Sequence, residues 1–396
     1  MRLTRQQFLR GVLAGLIVPR FRRQADDQVE RRASEILSRI VEPSFPPAVF
    51  PVTGSDSEAF RFAIDACAAA GGGTVLVPEG DYFLNGPLEL TTDNTRLHLQ
   101  AGATLHFSTD PADYPLLDDV DDGTELMSLI FVRGKTNVGL TGEGETSTID
   151  GQAEPGRGTW WSWSGKPQYG WQPDDPVESQ GGWPKRPYGV QFLDCTNVLV
   201  RGVRTIRMPK FQFRIRRSQN VTVDRVFAMS SDGPNNDGVD PSSCTDVLIQ
   251  NCRVDAGDDC FAVQAGVLND GTPVPARNVL IQDSDLYRGH AAVAFGSTAR
   301  GGISNVVARR LRLHDPAVAV RAAHQGQPSN RRLGVGHLRG RHTRCGRLGC
   351  RRCHRRALQR RGGRAVAAPG AGNQRAPTTD RQPGRGPLRR VRRRAA

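Results

Sequence analysis

Apolar residues in the middle of this chain alternate with polar ones in short runs, and the runs recur. From about residue 135 the phrase is Asn or Asp, then Val, then alternating β-branched positions. It occurs as Asn137-Val138-Gly139-Leu140, Asn197-Val198-Leu199-Val200 and Asn220-Val221-Thr222-Val223. It returns as Asp246-Val247-Leu248-Ile249, Asn278-Val279-Leu280-Ile281 and Asn305-Val306-Val307-Ala308. After position 197 the offsets are 23, 26, 32 and 27 residues. Period-two alternation without helical patterns between the runs predicts short strands, and their regular return predicts a β-solenoid, an all-β fold. One coil cannot bury its own inner face, so coils stack at the ~4.8 Å strand spacing. The recurrent Asn is expected to stack its side-chain amide on the next coil, a structural role.

Upstream, Ser55-Asp56-Ser57-Glu58 has capping-box spacing. Residues 59–70, with Phe60, Ile64 and Cys67 on one face, read as an amphipathic helix ended by Gly71-Gly72-Gly73. Such a helix would cap the N-terminal edge of the solenoid, which otherwise invites strand pairing with another chain. Thr74-Val75-Leu76-Val77 and Thr104-Leu105-His106-Phe107 read as the first coil strands. Residues 151–187, rich in Gly, Pro and Trp, read as a long loop on one flank.

Composition divides the chain. Residues 317–396 hold 22 Arg, no Lys and one acid, Asp380, whereas the first 316 residues are net acidic although the whole chain carries +14. All 25 aromatics lie at or before Phe295. Only the first part can build a packed core, and the basic tail is expected to be disordered. No apolar run approaches the ~18 residues of a membrane helix. The opening Thr4-Arg5-Gln6-Gln7-Phe8-Leu9-Arg10, followed by apolar Gly11 to Val18, resembles a twin-arginine export signal with Gln6 in place of the second Arg. Five cysteines (67, 195, 244, 252, 260) are expected as buried free thiols.

Three acidic or titratable clusters stand where a turn enters a strand. They are Asn235-Asn236-Asp237-Gly238, Gly257-Asp258-Asp259-Cys260 and Gly289-His290. Asp237 to Asp259 is 22 residues and Asp259 to His290 is 31, each close to one coil. The solenoid therefore places these side chains on one face, on consecutive rungs. Three neighbouring carboxylates cannot all ionise freely, so at least one should hold its proton toward neutral pH. One protonated and one ionised carboxyl is the requirement for glycosidic hydrolysis. A lone Asp-Gly would be an ordinary turn; the register of Asp, Asp-Asp and His on successive coils is not.

Those residues resemble the polygalacturonase-type enzymes of glycoside hydrolase family 28 over roughly residues 50–316. The resemblance rests on Gly-Pro-Asn-Asn-Asp-Gly (233–238), Gly-Asp-Asp-Cys (257–260), Gly-His (289–290) and Gly102-Ala103-Thr104-Leu105. It implies a right-handed parallel β-helix and inverting hydrolysis of galacturonic-acid-containing pectic polysaccharide, without cofactor or metal. Asp258 matches the general acid, Asp237 and Asp259 the carboxylates that activate water, and His290 the histidine that supports the acid. Asn235 and, more weakly, Gln264 are expected to contact substrate. Inversion implies acid and base ~6.5–9.5 Å apart. Ala291 stands where the family has Gly, and Gln264 where related chains often have Lys. Trp160-Trp161-Ser162-Trp163 is either a sugar platform or loop packing.

The family also has Gly-Leu-Arg-Ile-Lys on the next coil, whose Arg and Lys bind the substrate carboxylate; a bidentate Arg with a Lys suits a uronic acid. Here that stretch reads Arg321-Ala322-Ala323-His324-Gln325. Reading the same codons one nucleotide later permits Gly, Leu, Arg, Ile and Lys in order. The tail is thus expected to be out-of-frame translation beginning between about Asp315 and Arg321. On that view the haem-like Cys350-Arg351-Arg352-Cys353-His354 carries no function. The tail's charge would attract nucleic acid only nonspecifically.

The expected organisation is a leader over 1–45, a catalytic β-helix over 46–316 and an aberrant tail over 317–396. The expected activity is that of an extracellular or periplasmic, monomeric pectin hydrolase, weakened or abolished by loss of the Arg/Lys pair. A non-catalytic carbohydrate-binding solenoid and a Ca²⁺-dependent pectate lyase are the alternatives.

Overall fold

Three parallel β-sheets wind around one apolar interior, with strands of 10, 9 and 8 in the respective sheets. They come from a computed structural model that describes residues 26–119, 123–153, 160, 185–231 and 233–322, with two further strands at Leu333–Val335 and Leu338–Gly340. Each coil contributes one strand to each sheet in turn. The coil carrying Asp237, for example, runs Gln219–Asp224, Phe227–Ser230, Val239–Ser242. The next runs Thr245–Gln250, Arg253–Ala256, Phe261–Val263. Right-handed winding is the ordinary hand for such parallel connections. The fold is the expected right-handed parallel β-helix.

The recurring phrase is the first-sheet strand. Val138, Val198, Val221, Val247, Val279 and Val306 stand in register from coil to coil and are buried. Burying each such side chain contributes about 1.5–3 kcal/mol. The Asn at the head of the phrase forms ladders. Asn137 donates to Asn94, Asn197 to Asn137 and Asn220 to Asn197, each at 2.8 Å. A second ladder runs Asn305 to Asn278 (2.8 Å) and Asn278 to Asp246 (2.7 Å). All these residues have φ between 49° and 58°. That left-handed corner tolerates Asn and Asp better than other side chains, so backbone and side chain select the same residue.

The capping helix spans Ser57–Ala69, and its N-cap is Asp56, whose carboxylate accepts the Ala59 N–H at 3.0 Å. Ser55 is one residue too early for that role. Phe60, Ala63, Ile64 and Cys67 join the core. The strand Val49–Pro51 precedes the helix and pairs with Gly73–Val77, an edge strand the alternation did not reveal.

Two described elements lie outside the expected catalytic span of 46–316. A helix over residues 26–37 lies inside the expected leader, with Ala33 and Ile36 buried against Leu248, Leu280 and Val307 on the outward face of the first sheet. Those outward apolar side chains need a cover, and the helix supplies it. At the other end, Val318–Ala322 forms the eighth strand of the third sheet, past the expected limit at 316, because Val318 and Val320 continue the alternation. The export-signal residues and the Cys350–His354 motif lie outside the described residues. The chain divides into two units, residues 1–349 and 350–396, the second wholly outside them. Among the described residues no helix is long and apolar enough to cross a membrane, and the five cysteines are buried and free.

Candidate active site

The turns entering the third sheet bring together the residues the sequence singled out. Gly238 N–H donates to the Asp259 carbonyl (2.9 Å), Cys260 N–H to the Ala291 carbonyl (2.8 Å) and His290 N–H to the Asp258 carbonyl (2.8 Å), which stacks the three turns. Asn236 explains why the first turn carries two Asn. Its side chain donates to the Met208 and Lys210 carbonyls and accepts the Gly233 N–H, binding the turn to the preceding coil. Gly289 has φ 125°, and a Cβ there would lie 2.6 Å from the Asp258 carbonyl oxygen. Any side chain at that position would push Asp258 aside.

Asp237, Asp258 and Asp259 each offer an oxygen, all within 4.8 Å of one another. These are closest-oxygen distances, one atom from each carboxylate, and stacking of the turns on consecutive coils accounts for them. Asp237 and Asp259 are buried, whereas His290 is 61% exposed and its Nδ1 lies 2.9 Å from Asp258 Oδ1. A fourth carboxylate, Asp240, completes the group. It is 1% exposed, stands on the strand two residues beyond Gly238, and is in register with Arg214 of the preceding coil. Among the described residues, Oδ1 of Asp237, Asp240 and Asp259 are buried without a hydrogen-bond partner.

Burial, then the Asp240, Asp258 and Asp259 charges, push Asp237 well above the ordinary carboxylate range. Burial, then Asp259 and Asp258, do the same to Asp240, against a smaller opposing effect of Arg214. Asp259 is raised to about 6 by burial, with the Arg321 guanidinium pulling the other way. Arg321 Nη2 lies 2.8 Å from Asp259 Oδ2. The cluster thus retains protons near neutrality while two cationic or titratable groups, Arg321 and His290, face it. In so coupled a set the proton belongs to the group rather than to one residue.

The other expected contact residues have partners within the protein. Asn235 Oδ1 accepts from Arg186 Nη2 (3.0 Å), and Arg186 Nη1 reaches the Pro234 carbonyl (2.9 Å), so Asn235 helps fasten its own turn. Gln264 Nε2 faces Asp240 Oδ2 at 3.5 Å, on the edge of the cluster. Trp160 is buried edge-to-face against Tyr114, with centroids 5.5 Å apart, so it is core rather than platform; Trp161 and Trp163 lie outside the described residues. Sequence reasoning missed Asp240 and Arg321. Asp240 was visible in Asp237-Gly238-Val239-Asp240, where an acid alternates with an inward Val. Arg321 carried no signal, because it lies in the basic tail.

Comparison with known proteins identifies relatives of this chain. A probable polygalacturonase of Vitis vinifera is 28% identical over 273 residues, covering 65% of this chain and 51% of the relative. An exo-poly-alpha-D-galacturonosidase of Dickeya chrysanthemi is 27% identical, covering 68% and 49%. The chain thus spans about half the length of these curated relatives. The crystal structure of a hyperthermoactive exopolygalacturonase from Thermotoga maritima superposes with a TM-score of 0.62 at 32% identity, covering 72% of this chain and 73% of that one. The sequence profile of Glycosyl hydrolases family 28 matches residues 67–326. The chain belongs to that family.

Proposed function

We propose that this chain is an exported glycoside hydrolase that cleaves galacturonic-acid-containing pectic polysaccharide with inversion. The observation that carries the reading is the carboxylate group itself: acids from successive coils converge within 4.8 Å, and burial keeps part of the set protonated. Asp258, the least buried carboxylate of the three and paired with His290, delivers a proton to the leaving glycosidic oxygen. Asp259, raised to about 6 and so ionised at neutral pH, receives a proton from water as its oxygen attacks the anomeric carbon from the opposite face, and Asp237 helps to hold that water. Their unpartnered Oδ1 atoms are acceptors suited to that water. His290 holds the Asp258 carboxyl in place for that donation, with Nδ1 2.9 Å from Oδ1. Arg321 supports the substrate assignment by presenting a guanidinium on the coil where the expected Arg-Ile-Lys is missing.

The test is release of reducing ends from polygalacturonate by the purified chain, with proton NMR reading the anomer formed first. Reducing ends with the inverted anomer support the reading. A product absorbing as an unsaturated uronide would show a lyase, and binding without turnover a carbohydrate-binding solenoid; either sinks it.

A further inference from the structure

The segment from residue 26 to Phe45 runs along the outward face of the first sheet, and its contacts follow the coils that carry the site. Leu248, Leu280 and Val307 are register partners on three consecutive coils. Those coils bear, respectively, Asp258 with Asp259, then His290, then Arg321. Ala33 and Ile36 of the helix are fully buried against this column, with Val29, Leu37 and Ile40 packed at its margin.

A polar ladder ties the same three coils to the same helix. Gln282 Nε2 donates to Gln250 Oε1 (2.9 Å), Arg309 Nε donates to Gln282 Oε1 (2.9 Å), and Arg309 pairs with Glu30 of the helix. Arg309 is 6% exposed, so this ion pair is shielded on one side and worth more than an open surface pair. The coil carrying Asp237 is held next. Asn220 Oδ1 accepts the Val41 N–H (2.9 Å) and Asn220 Nδ2 donates to the Val41 carbonyl (2.6 Å). Glu42 then pairs with Arg201, which also binds Asp224. Phe45 lies against Arg96, 5.4 Å from guanidinium carbon to ring centroid.

We infer that residues 26–45 are a positioning strap for catalysis, in which Ile36, Ala33 and Glu30 hold three of the site-bearing coils, and Val41 the fourth, in one stacking register. The inference rests on the hydrolase reading for its catalytic part. In a solenoid each coil touches only its two neighbours, so small slips can accumulate along the stack. One element that touches four consecutive coils opposes that. The chemistry needs it, because an acid and a water-activating carboxylate from different coils must keep their separation, and a displacement of about 1 Å can cost on the order of 10²-fold in rate.

The experiment compares full-length wild type with Ile36→Asp, Glu30→Ala and the conservative Ile36→Val. Hydrogen exchange is followed over residues 276–286 and 303–313, and kcat and KM are measured on polygalacturonate at a temperature where circular dichroism shows each variant folded. Ile36→Asp is expected to speed exchange in both segments and lower kcat by about tenfold or more, with KM moved less than about twofold. Ile36→Val should restore both. Glu30→Ala, a surface change that leaves the apolar seat intact, should move them in the same direction to a smaller extent, and it decides the matter if Ile36→Asp does not fold. Unchanged exchange in folded variants would overturn the strap, and faster exchange with kcat unchanged would overturn its catalytic role. If wild type releases no reducing ends, the hydrolase reading fails, and the exchange arm alone then decides whether the strap holds the coils.

Discussion

His290 Nδ1 and Asp258 Oδ1 face each other at 2.9 Å across one coil step, and the backbone repeats the link, His290 N–H to the Asp258 carbonyl at 2.8 Å. The imidazole and the carboxyl therefore move as one unit. Asp258→Asn should lower kcat on polygalacturonate by about 10²–10⁴-fold, the range for a positioned proton donor. His290→Ala should cost less, and the double variant should be little worse than Asp258→Asn alone, since residues acting as a unit are non-additive. Equal, independent losses in a double-mutant cycle would separate the two residues.

The buried carboxylates set a direction for stability against pH. Asp259 is raised to about 6, and burial also pushes Asp237 and Asp240 well above the ordinary carboxylate range. Between the ordinary carboxylate pKa of about 4 and these raised values, the folded chain binds more protons than the unfolded one. Stability therefore falls as pH rises through that window. Asp283 and Asp285, held low by hydrogen bonds from Arg310 and Arg312, act in the opposite sense. Their contribution is complete above about pH 4 and is lost only in stronger acid. Thermal melts should thus peak in mild acid and decline toward pH 8. Asp240→Asn should flatten the decline and raise Tm at pH 8; a melting temperature that climbs from pH 5 to pH 8 in wild type would contradict the assignment.

Arg321 pulls Asp259 down against the effect of burial. Removing that positive charge in Arg321→Gln should raise Asp259 above 6, so a base that must be ionised becomes available only at higher pH. The acid limb of kcat against pH should move upward, whereas Arg321→Lys should leave it close to wild type. A limb that stays in place would mean that Asp259 is not the group titrating there.

The solenoid was legible because its signal is repeated: one Asn-Val phrase per coil states both the inward column and the corner conformation. The site was legible for the same reason, since residues one coil apart in sequence fall on one face. What escaped is what repetition does not encode. The strap helix has its partners, Leu248, Leu280 and Val307, more than two hundred positions away, and their outward apolar faces looked like ordinary strand residues. The motif also gave no sign that Arg186, from a stretch with no strand pattern, donates to the Asn235 oxygen.

The Asn ladder offers a test that separates two reasons for one residue. Asn197 sits at φ 56° and makes two ladder bonds, donating to Asn137 and accepting from Asn220. Asn197→Gly keeps the left-handed corner at no steric cost but removes both bonds. Leaving the partly buried amides of Asn137 and Asn220 short of a partner should cost about 1–3 kcal/mol. Asn197→Ala loses the same bonds and also forces a Cβ into the left-handed region, adding about 1–2 kcal/mol. Asn197→Asp keeps an acceptor for Asn220, as Asp246 does for Asn278, but cannot donate to Asn137, so it should fall between wild type and Asn197→Gly. The expected order of urea midpoints is wild type, Asp, Gly, Ala. If Ala proves as stable as Gly, the corner backbone has no part in selecting Asn, and the ladder alone explains the repeat.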